Sequence, residues 1–235
     1  MKSTFIFILV FALVVTVNFA FSKTIFQDDF EKDKVGNPPS RWVGCSADGQ
    51  IFEDPLKRGN LVMGVIKQNV DCGVLADTDV LSEYIVEWDW MWQNAEWHSM
   101  TIHQEKPGEN YHFSRNPDAN AWEMWVRTGG NWPGPFVVGK YATDLNKWYR
   151  CQFTVNKADI AFKIKEKDDN TPFDKIKSVV EMRGEDDRFK KGKFGVNENP
   201  GSFLDNVLIY IGKPSPVEGK GKLTTTWCRI KSRLI

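Results

Sequence analysis

The side chains best suited to chemistry crowd the middle of this chain. Glu87 and Asp89 stand two residues apart, Glu123 follows, and the only three histidines, His98, His103 and His112, fall between. Carboxylates and imidazoles are the groups that move protons. Seven of the ten tryptophans, Trp88, Trp90, Trp92, Trp97, Trp122, Trp125 and Trp132, share the same stretch. Flat rings cover the apolar C–H face of a pyranose, while Arg, Asp and Glu hydrogen-bond its hydroxyls in pairs. His103, Tyr111, Arg115, Trp125, Arg127 and Trp132 are therefore candidate sugar contacts. Trp132 and Phe136 occupy a Gly- and Pro-rich loop that could close over a ligand. Three imidazoles can also make an open zinc site, but His98 and His103 have opposite strand parity and cannot face one ion unless His98 sits in the preceding turn. Hydrogen-bonded surface histidines are the better reading.

What must position these residues is a set of short strands. From residue 25 to 211 apolar and polar residues alternate in brief runs separated by turn residues, and no long helical period appears. Strands are predicted at 25–30, 61–67, 73–76, 84–92, 99–104, 110–115, 122–128, 148–156, 160–166, 178–182, 194–197 and 203–211. The four from 84 to 128 read as one continuous meander. Two-residue periodicity puts Tyr84, Val86, Trp88, Trp90 and Trp92 on one face and Ile85, Glu87, Asp89 and Met91 on the other. An all-aromatic face belongs in a core, so Glu87 and Asp89 are expected on a concave, solvated surface shared with the next strands. About a dozen strands without a regular helix close a core by stacking two sheets. The charge-dense segment 185–193 reads as a solvated connection, a loop or partly helical.

The ends differ from the body. Lys2, an apolar run over residues 5–17, and the small residues Ala20 and Ser22 outline a signal peptide cleaved after Ser22. That run is short of the ~20 residues a membrane-spanning helix needs, although a retained anchor is the alternative. The expected products are a signal peptide over 1–22, a β-sandwich domain over 23–212, and a linker with a basic, amphipathic tail over 213–235. The mature protein is then secreted and spans no membrane. The chain carries 31 basic and 31 acidic residues, so loss of Lys2 leaves 30 against 31, a net −1. Such balance argues against nucleic acid as a partner. Of the four cysteines, Cys45 and Cys72 are the favoured pair beside Cys151 and Cys228, but four cysteines allow three connectivities, and reduced thiols remain an alternative.

Phe26-Gln27-Asp28-Asp29-Phe30-Glu31, then Gly36-Asn37-Pro38-Pro39 and Trp42, resembles the opening of concanavalin A-like lectin/glucanase domains of the laminin-G and 3-keto-disaccharide hydrolase type. The run from Phe203 to Val207 resembles their last strand, with its F-D-N-V signature altered to Phe203-Leu204-Asp205-Asn206-Val207. The resemblance implies an all-β jelly-roll sandwich of two antiparallel sheets whose first and last strands pair, often with a calcium ion near one end. Asp28, Asp29 and Asp205 match in position, and carboxylates suit a hard cation. Glu87-Trp88-Asp89 further resembles the E-x-D part of the E-x-D-x-x-E motif of laminarinase-type glucanases. The third acid is replaced by Trp92, so the partner a retaining mechanism needs at about 5 Å is missing from the motif, and Glu96, Glu105 or Glu123 could replace it from another strand, although the spacing selects none of them. On this resemblance Glu87 is the expected nucleophile or base, Asp89 tunes its pKa, and Glu123 or His103 gives the proton.

Three readings follow. The first is a secreted module that binds a carbohydrate on one hollow carrying Glu87, Asp89, His103, Tyr111, Arg115, Trp125 and Arg127. The second is a glycoside hydrolase, glucanase-like or 3-keto-disaccharide hydrolase-like, on the same scaffold. The third is a structural or adhesive surface protein whose tail makes the useful contact.

Overall fold

The computed structural model describes residues 22–44, 49–67, 73–184, 186–197 and 199–212. Fifteen strands run in chain order: β1 Lys23–Asp28, β2 Trp42–Gly44, β3 Gly49–Glu53, β4 Leu61–Val65, β5 Val74–Ala76, β6 Glu83–Trp92, β7 His98–Lys106, β8 Glu109–Asn116, β9 Ala121–Arg127, β10 Pro135–Lys140, β11 Tyr149–Asn156, β12 Asp159–Glu166, β13 Val180–Arg183, β14 Lys193–Val196 and β15 Ser202–Ile211. One 3-10 turn, Phe173–Lys175, is the sole helical element among the described residues, so residues 186–192 form a loop and not a helix.

The strands stack as two antiparallel sheets. Eight strands make the first, in the order β13-β12-β11-β6-β15-β4-β3 with β1 also on β15, and seven make the second, β10-β9-β8-β7-β14-β5-β2. First and last strands pair from Lys23 opposite Ile211 to Asp28 opposite Val207. The expected meander over 84–128 is therefore corrected. After Trp92 the chain leaves the first sheet, and β7, β8 and β9 lie in the second. The switch is held by Gln93, whose N–H donates to Gly201 O, and Asn94, whose amide donates to Pro200 O.

Alternation built this interior. Trp88, Trp90 and Trp92 from β6 meet Phe113 and Trp122 from the opposing sheet, with Phe153 and Phe162 between them, and all are fully buried. Trp122 stacks on Phe113 at 5.6 Å, lies 5.0 Å from Phe162 and 5.6 Å from Trp90, and donates its indole N–H to Tyr141 O at 3.0 Å. Such close aromatic packing both buries apolar area and fixes the sheet separation.

Three strands were not legible: β2, β3 and β10. The last matters for function, because the Gly- and Pro-rich loop ends in an edge strand, whose register on β9 slips between Pro135 and Val137. Pro at the first residue of an edge strand costs no ladder bond.

Trp122→Ala is expected to lower the unfolding free energy by about 3–5 kcal/mol, read as a shift in a urea or guanidinium transition.

Candidate functional site

Two sheets packed about 10 Å apart have two outer faces, and the candidate residues are divided between them. On β8, Tyr111 and Phe113 point into the core, so His112, Ser114 and Asn110 face out. On β9 the core takes Trp122, Met124 and Val126, leaving Glu123, Trp125 and Arg127 outside. Cross-strand register sets three rows on this face of the second sheet. Ser99, Ser114 and Glu123 form the first; Thr101, His112 and Trp125 the second; Asn110 and Arg127 the third. Gly195 lies beside Thr101. A Cβ there would stand 2.4 Å from Leu75 and 2.9 Å from the Thr101 hydroxyl, so a side chain at this position would have to push both aside.

Walls rise around this floor. Trp97 and Asn199 close one side, joined by the Asn199 amide donating to Trp97 O at 2.8 Å, and Trp132 closes the other. Between them is an open groove of about 400 Å³ lined by Trp97, Ser99, His112, Ser114, Trp125, Trp132 and Asn199. Trp132 stands edge-on to His112 at 4.7 Å and to Trp125 at 5.9 Å, and the Arg127 guanidinium lies 4.4 Å from its ring centroid. In the first row of the floor Glu123 is fixed, accepting from Asn116 Nδ2 at 2.8 Å and from Trp125 Nε1 at 3.1 Å. The second bond orients the Trp125 ring. Burial first, and then the Arg127 charge, lower the His112 pKa to about 3, so its imidazole is neutral at any physiological pH. The groove thus offers three partly exposed indoles around hydroxyl and imidazole groups. Trp97, Ser99, Ser114 and Asn199 had not been singled out as ligand contacts; small hydroxyls in a strand carry no signal until the neighbouring strand is known.

The expected single hollow does not exist. Trp125, Arg127 and Trp132 come together here with Glu123, but His103, Tyr111 and Arg115 point between the sheets, and Glu87 and Asp89 lie on the far side of the first sheet. Arg115 spreads over Trp92, 4.9 Å from its centroid, and donates to Thr143 Oγ1. Tyr111 donates its hydroxyl to Asp186 O at 2.9 Å. His103 has a positive φ of 58° in a bulge of β7, which turns its ring inward to Tyr84, where Nε2 donates to Lys157 O. Burial lowers its pKa. His98 also turns inward, against Trp92 and Asn94, and burial lowers its pKa to about 4. The three histidines thus occupy separate places, and among the described residues no cluster of three His, Cys, Asp or Glu side chains could hold a metal.

Glu87, Asp89 and Glu123 likewise cannot act as one catalytic set. A full sandwich thickness separates Glu123 from the other two, against the roughly 5 Å a retaining pair needs. Asp89 is not solvated, being 3% exposed. Arg150 bridges the two acids, Nη1 to Asp89 at 2.9 Å and Nη2 to Glu87 at 3.0 Å. Gln152 and Tyr210 donate to the other Glu87 oxygen, while Asn206 and Lys167 serve Asp89. Each carboxylate is saturated.

The aspartates suggested for calcium do not converge. Asp28 accepts from Trp42 Nε1 and from Phe30 N, and its burial raises its pKa. Asp29 is exposed, and Asp205 sits on the outer face of the first sheet, where Asn60 donates to it at 3.2 Å. With their oxygens committed separately, these residues do not fit a calcium site. Cys151 is buried in the core. Cys45, Cys72 and Cys228 lie outside the described residues, as do residues 1–21 of the expected signal peptide and the tail over 213–235.

No protein-family profile matches the sequence, and no curated protein does. Among solved structures, a protein of unknown function with a galectin-like fold from Bacillus subtilis aligns over 82% of this chain and 99% of its own, at 12% identity and a TM-score of 0.56. The carbohydrate binding module CBM66 from Bacillus subtilis aligns over 75% and 94% at 12% identity and 0.49. Domain 4 of AbnA, an extracellular arabinanase from Geobacillus stearothermophilus in complex with arabinotriose, aligns over 83% and 95%, also at 12% and 0.49. The fold is accordingly the expected all-β sandwich of two antiparallel sheets, similar to the galectin-like fold of the first of these structures.

Arg150→Met is expected to cost about 3–5 kcal/mol of stability in a denaturant titration, since it strands two buried carboxylates. Burial, with Asp89 adding to it and Lys167 opposing, raises the Asp205 pKa to about 6, above the ordinary value of about 4. The folded chain thus holds a proton there that the unfolded chain releases. Its contribution is full below pH about 4 and lost as pH rises through about 6. Relative to Asp205→Asn, wild-type unfolding midpoints should therefore fall as pH rises from about 4 to about 6 and level off above that.

Proposed function

We propose that this chain is an exported carbohydrate-binding module that holds a glycan on the outer face of its second sheet, in the groove floored by His112 and Trp125. The observation that carries the reading is the presence of three partly exposed indoles, Trp97, Trp125 and Trp132, around neutral hydrogen-bonding groups on a strand-built floor. Apolar faces with a few well-placed polar groups are what a sugar ring requires, because its C–H face and its hydroxyls must be satisfied together. Ser99 and Ser114 share a hydrogen bond at 3.0 Å and can each offer the remaining valence to a ligand hydroxyl.

Among the described residues that line the groove there is no Asp or Glu to serve as a glycosidase pair. Of the acids on this face of the second sheet, Glu123 stands beside Trp125, and both of its oxygens already accept hydrogen bonds. We therefore favour binding over hydrolysis. Cleavage of a signal peptide over 1–22, a mature sandwich over 23–212 and a basic tail over 213–235 complete the proposal, and the tail offers a means of retention at a surface.

Glycan microarray screening followed by titration calorimetry tests this. Trp125→Ala is expected to weaken binding about tenfold or more, the scale on which a central aromatic contact is lost, while Glu87→Gln leaves affinity unchanged. Release of a cleaved product, or loss of binding in Glu87→Gln but not in Trp125→Ala, would count against the reading.

A further inference from the structure

Polar groups on the two outer faces are treated very differently. On the first sheet Glu87, Asp89, Arg150 and Gln152 satisfy one another. On the second, Asn110 is fully buried and neither its amide oxygen nor its amide nitrogen has a protein partner; Thr101 Oγ1 and His112 Nδ1 are in the same condition. Buried side-chain amides are nearly always hydrogen-bonded, so orphaned groups grouped on one face ask for a partner that the protein does not supply.

Trp132 lies over this strip. Its ring meets His112 at 4.7 Å and covers the Arg127 guanidinium, the cross-strand neighbour of Asn110. It is nonetheless 39% exposed and joined to the strands through Gly129, Gly130 and Gly134, which have positive φ and nothing within 4 Å of a Cβ position. The tryptophan side chain is held by His112, Trp125 and the Arg127 guanidinium, and Asn131 before it donates its N–H to Thr128 O, on a connection that meets no neighbour at its glycines.

We propose that Thr101, Asn110 and His112 form a second sugar subsite capped by Trp132, and hence that the ligand is an oligosaccharide running along β8 and not a single terminal sugar. This rests on the glycan-binding reading of the open groove. Asn110 supplies a donor pair and an acceptor, Thr101 one of each, and a neutral imidazole one more, which suits vicinal hydroxyls. Successive rows on the face are about 6.6 Å apart, two residues of strand rise and close to the width of one sugar ring. One unit would fill the open groove beside Ser99 and Ser114, and the next would reach Asn110 once the indole swings aside.

The test uses the full chain and intrinsic tryptophan fluorescence, with xylose and xylotriose, glucose and cellotriose, and arabinose and arabinotriose as probes. At least one trisaccharide is expected to bind about tenfold or more tighter than its own monosaccharide. Asn110→Ala should remove that gain and leave the monosaccharide affinity as it was. Trp132→Ala, in an exposed loop and safe for folding, should speed trisaccharide association about tenfold by abolishing the cost of opening. Should Asn110→Ala fail to fold, the Trp132→Ala rate decides. A trisaccharide gain that survives Asn110→Ala, or an association rate indifferent to Trp132, would overturn the second subsite and leave water as its occupant. In that case loss of binding in Trp125→Ala still upholds the open groove, whereas failure of every probe to bind overturns both.

Discussion

The structure depends on a seam of large rings that two sheets must enclose from both sides. Trp88, Trp90 and Trp92 alternate along β6, and Trp122 and Phe113 answer them from the other sheet. Once those rings face inward, two-residue periodicity leaves no freedom for the residues between them. Glu87 and Asp89 must project from the back of the first sheet. Because the chain changes sheets between Trp92 and His98, the polar positions of the next three strands project from the back of the second. One apolar requirement therefore sends two sets of polar side chains in opposite directions.

The set on the first sheet serves stability. Arg150 lies between Glu87 and Asp89 with 8% of its side chain exposed, and Lys167 and Asn206 complete the Asp89 oxygens. A buried ion pair returns little net energy over an apolar one, yet leaving any member unpaired is costly, so such a cluster fixes how β11, β6 and β15 lie side by side. The Asn206 bulge, with φ 50°, belongs to the same device, since it slips the β15 register on β6 by one residue and brings the Asn206 amide to Asp89. The F-D-N-V-like ending of the chain thus works here through hydrogen bonds between strands.

Much of this architecture was legible in the amino-acid order, and the reason is local. Alternation in β6, β11 and β12 is decided within each strand, so the aromatic core and its faces could be read without knowing any partner. The candidate site was not, because a site is a property of neighbouring strands. Nothing in residues 93–97 announces a change of sheet, and with β7 to β9 placed beside β6 the acids and the tryptophans appear to share one hollow. His103 and Arg115 were misplaced for a second reason. A single bulge after Ile102 rotates His103 inward, and Arg115, although polar, keeps the parity of Tyr111 and Phe113 and reaches the rim of the core by spreading over Trp92. A charged residue at the end of a strand can follow core parity because its long stem packs while its head meets a partner at the edge.

What remains is why recognition should use the second sheet. A binding face must keep some polar valence unspent, and it must do so on a floor rigid enough that the vacancy is not closed by relaxation. The first sheet fails the former condition, since its acids and bases are matched to one another. The second meets both. Its floor is made of strands packed on the aromatic core, Glu123 beside Trp125 accepts from its indole N–H and fixes the ring, and Gly195 keeps a side chain from filling the space beside Thr101. Suppressing the charge of His112 belongs to the same logic, because a neutral imidazole can both give and accept a hydrogen bond, whereas an imidazolium could only give. Burial chiefly keeps His112 neutral, and Arg127 adds to that while steadying Trp132 above it, so one guanidinium contributes both to the electrostatics of the floor and to the position of its wall.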